Sequence, residues 1–189
     1  MRRRAAAFAA VLLLLPLGAA AIEVAGVSFP PTVQAGGKTL TLNGAGVRTR
    51  FLFKVYAMGL YLEHPSTDAS AILAADQVRR AELHMLRTVS GAEMGDAIAT
   101  AVNANAGGNA AQLKPRVDQL KSMFKSANEG EVIALTYIPG TGTVVAAQGG
   151  DLGTIQGKDF ADALFGAWIG TAPVDGSLKQ ALLTGGASS

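Results

Sequence analysis

The chain has 189 residues, 16 Lys and Arg against 14 Asp and Glu, two histidines and no cysteine. Without cysteine there are no disulfides and no thiolate ligands for zinc, iron–sulfur clusters or haem attachment, and His64 and His84 alone do not build a usual zinc site. Nothing in the near balance of charge suggests a nucleic-acid binder.

Arg2, Arg3 and Arg4 precede an unbroken apolar run from Ala5 to Leu17 and then Gly18-Ala19-Ala20-Ala21. This is the pattern of a secretory signal peptide over residues 1–21, cleaved after Ala21. The run has no polar face and is shorter than the roughly 20 residues a membrane-spanning helix needs, so no transmembrane segment is expected after its removal. Export predicts a periplasmic location. What remains is 168 residues with 13 basic and 14 acidic side chains, a net charge of −1. That length fits one domain with a sizeable core. Its net charge points to neither nucleic acid nor an anionic membrane surface.

Val24–Phe29 reads as a short strand stopped by Pro30-Pro31. Thr39–Leu42 reads as another, ended by a turn at Asn43-Gly44. Arg48–Leu62 is rich in aromatic and β-branched residues and reads as one long strand. Ser66–Ala75 is a short helix capped by Ser or Asp, and Arg79–Leu86 is a strand. Ser90 and Glu93 form a capping box. Behind it Met94, Ala97, Ile98, Ala101 and Val102 make one buried helix face that stops at Asn105, with Gly107-Gly108 ending the helix. Leu113, Val117, Leu120, Phe124 and Ala127 form a second stripe, with Pro115 near its start, where a missing N–H is tolerated.

Glu131–Ile138 and Thr143–Ala147 read as a hairpin joined by Pro139-Gly140-Thr141-Gly142. Phe160, Leu164 and Trp168 mark a helix that Asp159 caps, and Leu178 and Leu182 mark the last helix. Strands first and helices later predict an α+β fold, with an antiparallel sheet covered on one face by helices. Residues 22–185 form the domain and 186–189 a frayed tail.

Chemical motifs are sparse. The Gly-rich stretches lack both the dinucleotide fingerprint and the Gly-Lys-Ser/Thr of a phosphate loop. No Gly-x-Ser-x-Gly elbow is present, and no acid pair has a defensible catalytic spacing. His84 alternates with Arg80 and Glu82 on one strand face, which reads either as a solvated polar face or as a lone base or haem ligand.

The string LNGAGVRTRFLFKVYAMGLYLE, Leu42 to Glu63, resembles the early segment of chalcone isomerases and their relatives. FADALFGAWIG and LKQALL, between residues 159 and 183, resemble that family's closing helices. The resemblance implies an open-faced β-sandwich: a large antiparallel sheet with helices packed over it. It places Arg48 at the substrate-polarising arginine and Tyr56 at a hydroxyl position of the next strand. It also puts Met94 where the catalytic tyrosine stands, Ala101 at an asparagine and Ala167 at a polar position of the penultimate helix. With those three polar groups gone, the expectation is loss of the isomerisation rather than a slower version.

The retained Arg48 and Tyr56 resemble the family's fatty-acid-binding branch, where such a pair holds a lipid carboxylate. That implies a non-catalytic binder of a small apolar carboxylate, with no cofactor or metal. The alternatives are an isomerase or intramolecular lyase on another substrate, or a haem carrier using His84 or Tyr56. Oligomeric state is open. One expectation from spacing conflicts with the pair. In a single strand, eight residues at about 3.3 Å each put Arg48 and Tyr56 roughly 26 Å apart. TRFLFKV between them has no Gly, Pro, Asn or Asp to mark a turn.

Overall fold

The computed structural model describes residues 21–185. The expected leader, up to residue 20, and the tail at 186–189 lie outside the described residues. Seven antiparallel strands form one sheet in the order β11-β10-β9-β6-β5-β4-β3. They are β3 (Thr32–Ala35), β4 (Lys38–Arg50), β5 (Phe53–Leu62), β6 (Arg79–Met85), β9 (Val132–Ile138), β10 (Gly142–Ala147) and β11 (Gly150–Ile155). The helices α2 (Gly91–Ala104), α3 (Ala110–Met123), α4 (Lys158–Ile169) and α5 (Gly176–Thr184) pack with the sheet, and α1 (Ala69–Ala74) lies against α4. A small hairpin, β1 (Ile22–Val24) and β2 (Val27–Phe29), covers part of the other face, and β7 (Val89–Ser90) pairs with β8 (Ser126–Ala127) beside α2. The architecture is the α+β, helix-covered antiparallel sheet that the element order predicts.

Period-two alternation divides the central strand between two cores. Tyr56, Met58, Leu60 and Leu62 face the helices, while Ala57 and Tyr61 join Phe29, Leu40 and Val47 beneath the hairpin. A strand buried on both faces reads as a continuous apolar run, as Val55–Leu62 does.

Six expectations need correction. Val24–Phe29 is not one strand but the two short arms of the β1–β2 hairpin, which turn at Ala25-Gly26. Asn43-Gly44 is not a turn: β4 runs through it, and the pairing with β5 skips a residue between Leu42 and Gly44. Asn43 is the extra residue of that bulge. Its amide donates to the carbonyls of Leu182 (2.7 Å) and Ser66 (3.0 Å) and accepts from the Ser66 N–H (2.8 Å). Gly44 lies against the backbone of α5, where a Cβ would collide with the Ala181 carbonyl. Replacing Gly44 with alanine is therefore expected to lift α5 and cost about 1–3 kcal/mol, the usual range for overpacking. Urea unfolding measures it.

The second helical stripe ends at Met123, and Phe124 and Ala127 are buried beyond it in extended chain. Pro115 is the sixth residue of α3, past its first turn, where its missing N–H falls inside the helix. Asp159 lies inside the first turn of α4, where Gly157 is the cap, and is held by two hydrogen bonds from Arg116, each 2.6 Å. Strands β3, β7, β8 and β11 are additional to those read from the sequence; each is short, lacks strong alternation or carries glycine.

The sixth correction bears on function. Arg48–Leu62 is not one strand. It bends at Phe51-Leu52, with Arg50 paired to Phe53 across a two-residue loop. Phe51 has φ +56°, the positive value at the first loop position that a type II′ turn demands and that glycine normally supplies. A left-handed conformation costs a non-glycine residue roughly 1–2 kcal/mol. The turn thus forms against local preference, held by the pairing on either side.

Candidate functional site

Because the chain reverses at Phe51-Leu52, Arg48 and Tyr56 are direct cross-strand partners. Opposed residues in an antiparallel pair project to the same face. Here that is the helix-covered face, and the Arg48 guanidinium carbon lies 5.7 Å from the centre of the Tyr56 ring. The expected 26 Å separation is overturned. A second irregularity sharpens the placement: pairing skips a residue between Arg48 and Thr49, leaving Val55 as a bulge beside Tyr56. Bulges redirect side chains and increase local twist, and Val55 and Tyr56 both join the helix-side core.

Tyr56 is 3% exposed. Its hydroxyl oxygen accepts a hydrogen bond of 2.8 Å from the Trp168 indole N–H. That bond leaves the phenolic proton to be donated. Burial pushes the Tyr56 hydroxyl up to about 12, although Arg48 and Trp168 favour its ionised form. At neutral pH it is a neutral donor rather than a phenolate.

Arg48, Tyr56 and Trp168 line a cavity whose remaining wall is apolar. Leu83, Ile133 and Leu135 rise from the sheet, Met94, Ile98 and Ala101 come from α2, and Leu164 and Ala167 from α4. The three positions expected to have lost polar groups, Met94, Ala101 and Ala167, therefore surround the same space as Arg48 and Tyr56. The cavity is about 30 Å³, room for about one water. It adjoins two wider clefts. One, about 270 Å³, lies between the β4–β5 tip and the start of α2; the other, about 510 Å³, lies between α2 and Ala172–Val174. Arg48 borders all three, so the cation stands where the buried apolar space meets solvent.

Trp168 was legible in the sequence only as the last member of a buried stripe. Its role as a donor depends on a contact across 112 residues. Asn105, which ends the α2 stripe, ties the site's far wall: its amide donates to the Ala172 carbonyl (2.9 Å) and accepts from the Ala172 N–H (3.2 Å).

His84 belongs elsewhere. It pairs with Ala57 on the opposite face, bonds to Glu82 at 3.1 Å and sets its ring edge-on to Phe29 at 5.0 Å. That hydrogen bond holds the Glu82 carboxyl below its ordinary range. His84 thus offers the cavity no iron ligand. Among the described residues no cluster of three or more His, Asp or Glu side chains could hold a metal.

A helix-covered seven-stranded sheet, with an arginine–tyrosine pair under its helices, defines the class. Residues 21–184 match the chalcone isomerase-like family, and the chain belongs to it. The crystal structure of an Arabidopsis thaliana fatty-acid binding protein has the same fold, with a TM-score of 0.73 and 18% identity, covering 87% of this chain and 96% of that one. No curated protein sequence matches significantly.

Proposed function

We propose that this protein is an exported, non-catalytic binder of a small apolar carboxylate, a fatty acid being the best fit. The observation that carries the reading is the cross-strand pairing of Arg48 and Tyr56 at the mouth of an otherwise apolar cavity. A guanidinium grips a carboxylate through two parallel N–H bonds. The neutral Tyr56 hydroxyl, its oxygen already occupied by Trp168, adds one donor. The apolar wall would take the alkyl chain. A chain of any length exceeds about 30 Å³, so binding entails movement of flexible side chains such as Met94, whose unbranched thioether adapts readily.

Several observations disfavour the alternatives. Proton transfer needs a group that can give or take a proton near its working pH; burial pushes the Tyr56 hydroxyl up to about 12, and a guanidinium stays charged in proteins. The same shift disfavours Tyr56 as a tyrosinate ligand for haem. Export rests on the leader-like residues 1–21, and the periplasm is the compartment proposed.

The test is lipid extraction and mass spectrometry of protein purified from its native compartment, with a thermal-shift titration by palmitate. The reading expects a co-purified fatty acid and a rise in melting temperature. A ligand that binds only the folded state at a hundredfold excess over its Kd stabilises it by about 2.7 kcal/mol. Neither acid nor shift would reject the reading.

A further inference from the structure

The tip of the β4–β5 hairpin exposes three consecutive large apolar side chains: Phe51 at 86%, Leu52 at 93% and Phe53 at 61%. Cations collar it. The Arg50 guanidinium lies 5.7 Å from the centre of the Phe51 ring and that of Arg87 5.2 Å from Phe53, and exposed Lys54 follows directly. One acid, Glu93, held at the Ser90 cap, borders this cleft beside Arg48, Arg50 and Arg87 and offsets one of their charges. So a domain whose net charge is close to zero concentrates positive charge around one apolar point. The backbone there is strained at Phe51, and the strain serves no packing: it holds the side chains out in water.

We propose that this tip docks the protein on an anionic lipid bilayer, with Phe51, Leu52 and Phe53 entering the interfacial layer and Arg50, Lys54 and Arg87 meeting lipid phosphates. Apolar and aromatic groups backed by basic residues are what such an interface recognises. A protein partner fits less well. Three side chains of this size bury roughly 500 Å² on this side, short of the roughly 800 Å² per partner of a standard protein interface. The tip also borders the cleft leading to Arg48. On the fatty-acid reading, which this consequence alone requires, docking brings the cavity mouth to the depth at which a membrane-dissolved acid presents its carboxylate.

The test is co-sedimentation of residues 22–189, which contain every packed element described, with phosphatidylglycerol/phosphatidylcholine vesicles and with phosphatidylcholine alone. The expected result is retention on the anionic vesicles, weakened by salt and reduced about tenfold by Leu52→Ser, the loss of one buried leucine. Arg50→Gln with Arg87→Gln should also reduce it. Phe51→Gly should raise the melting temperature while weakening retention, because glycine relieves the turn and removes an anchor. Failure of the parent chain to bind anionic vesicles, or undiminished binding by Leu52→Ser, would overturn the proposal. So would a concentration-dependent dimer abolished by Leu52→Ser, which would assign the tip to a second copy. Leu52 does not line the cavity, so the palmitate shift of Leu52→Ser in vesicle-free buffer reports on ligand binding separately. A retained shift with lost docking in the variant supports both readings. A retained shift in a parent chain that never sediments sinks docking alone.

Discussion

Replacing Arg48 with methionine is expected to weaken palmitate binding by about two orders of magnitude, with little change in the stability of the unliganded domain. Truncating one partner of a hydrogen-bonded charge pair costs roughly 2–5 kcal/mol, and about 2.7 kcal/mol is a factor of a hundred. Methionine keeps most of the volume, so the loss reports the guanidinium rather than a hole. Arg48→Lys should fall between the two, because an ammonium keeps the charge without the two-pronged geometry. Tyr56→Phe removes one donor, keeps the ring, and should cost about tenfold, a single hydrogen bond's worth. The pH profile separates charge from apolar burial. Tyr56 stays protonated up to about 12, so the ligand's own carboxyl sets the dependence. Affinity should be flat through neutral pH and fall as the acid protonates, below about pH 5. Isothermal titration of the three variants checks all of this. Equal affinities for Arg48→Met and the parent chain would make Arg48 a structural residue.

The second large effect concerns stability. Arg79 begins β6 with none of its surface exposed. Its guanidinium lies 4.9 Å from the ring centres of both Tyr137 and Phe165 and donates to the carbonyls of Ile72 (3.1 Å) and Leu73 (3.3 Å) and to the carboxylate of Asp162. Lys158 reaches the same carboxylate at 2.7 Å. One anion thus balances two cations, one of them fully buried, and the group pins α4 to the sheet and to the end of α1. Asp162→Ala is expected to destabilise the domain by about 3 kcal/mol. That is the lower part of the range for breaking a buried pair, because the Asp162 side chain is 32% exposed and water can partly replace it. Against a total of roughly 5–15 kcal/mol this is a large share. Adding Arg79→Met should recover much of the loss, since an apolar side chain in that slot needs no counter-charge. A double variant no more stable than Asp162→Ala, in urea unfolding, would show that the pair is not what holds α4.

Helix faces were the most legible part of the fold. Ser90 with Glu93 and the stripe from Met94 to Val102 mark α2 as the structure has it, because capping and a 3.6-residue period are local properties. Turns were less legible where tertiary contacts override local preference. Asn43-Gly44 carries the residues of a turn, yet the Asn43 amide and the missing Gly44 Cβ serve the docking of α5. Phe51-Leu52 carries none and is the turn that assembles the site. Arg48 and Tyr56 came from a resemblance, and their spacing argued against them until the hairpin was seen. The basic collar escaped notice because net charge averages over a surface, whereas the pairing of β4 with β5 and the approach of Arg87 from beyond β6 gather cations at one end.

The cross-strand pairing of Arg48 with Tyr56 has a consequence for how this hairpin can vary. Residues added to the tip in twos extend the ribbon by about 3.4 Å per pair and leave every opposition below it intact. A single insertion must be absorbed in a longer loop or as another bulge, or it turns the pair to the other face. The length and chemistry of the projecting end are therefore separable from the Arg48–Tyr56 pair beneath it. Mutational drift can remodel the tip, in steps of two, without disturbing the opposition of Arg48 and Tyr56.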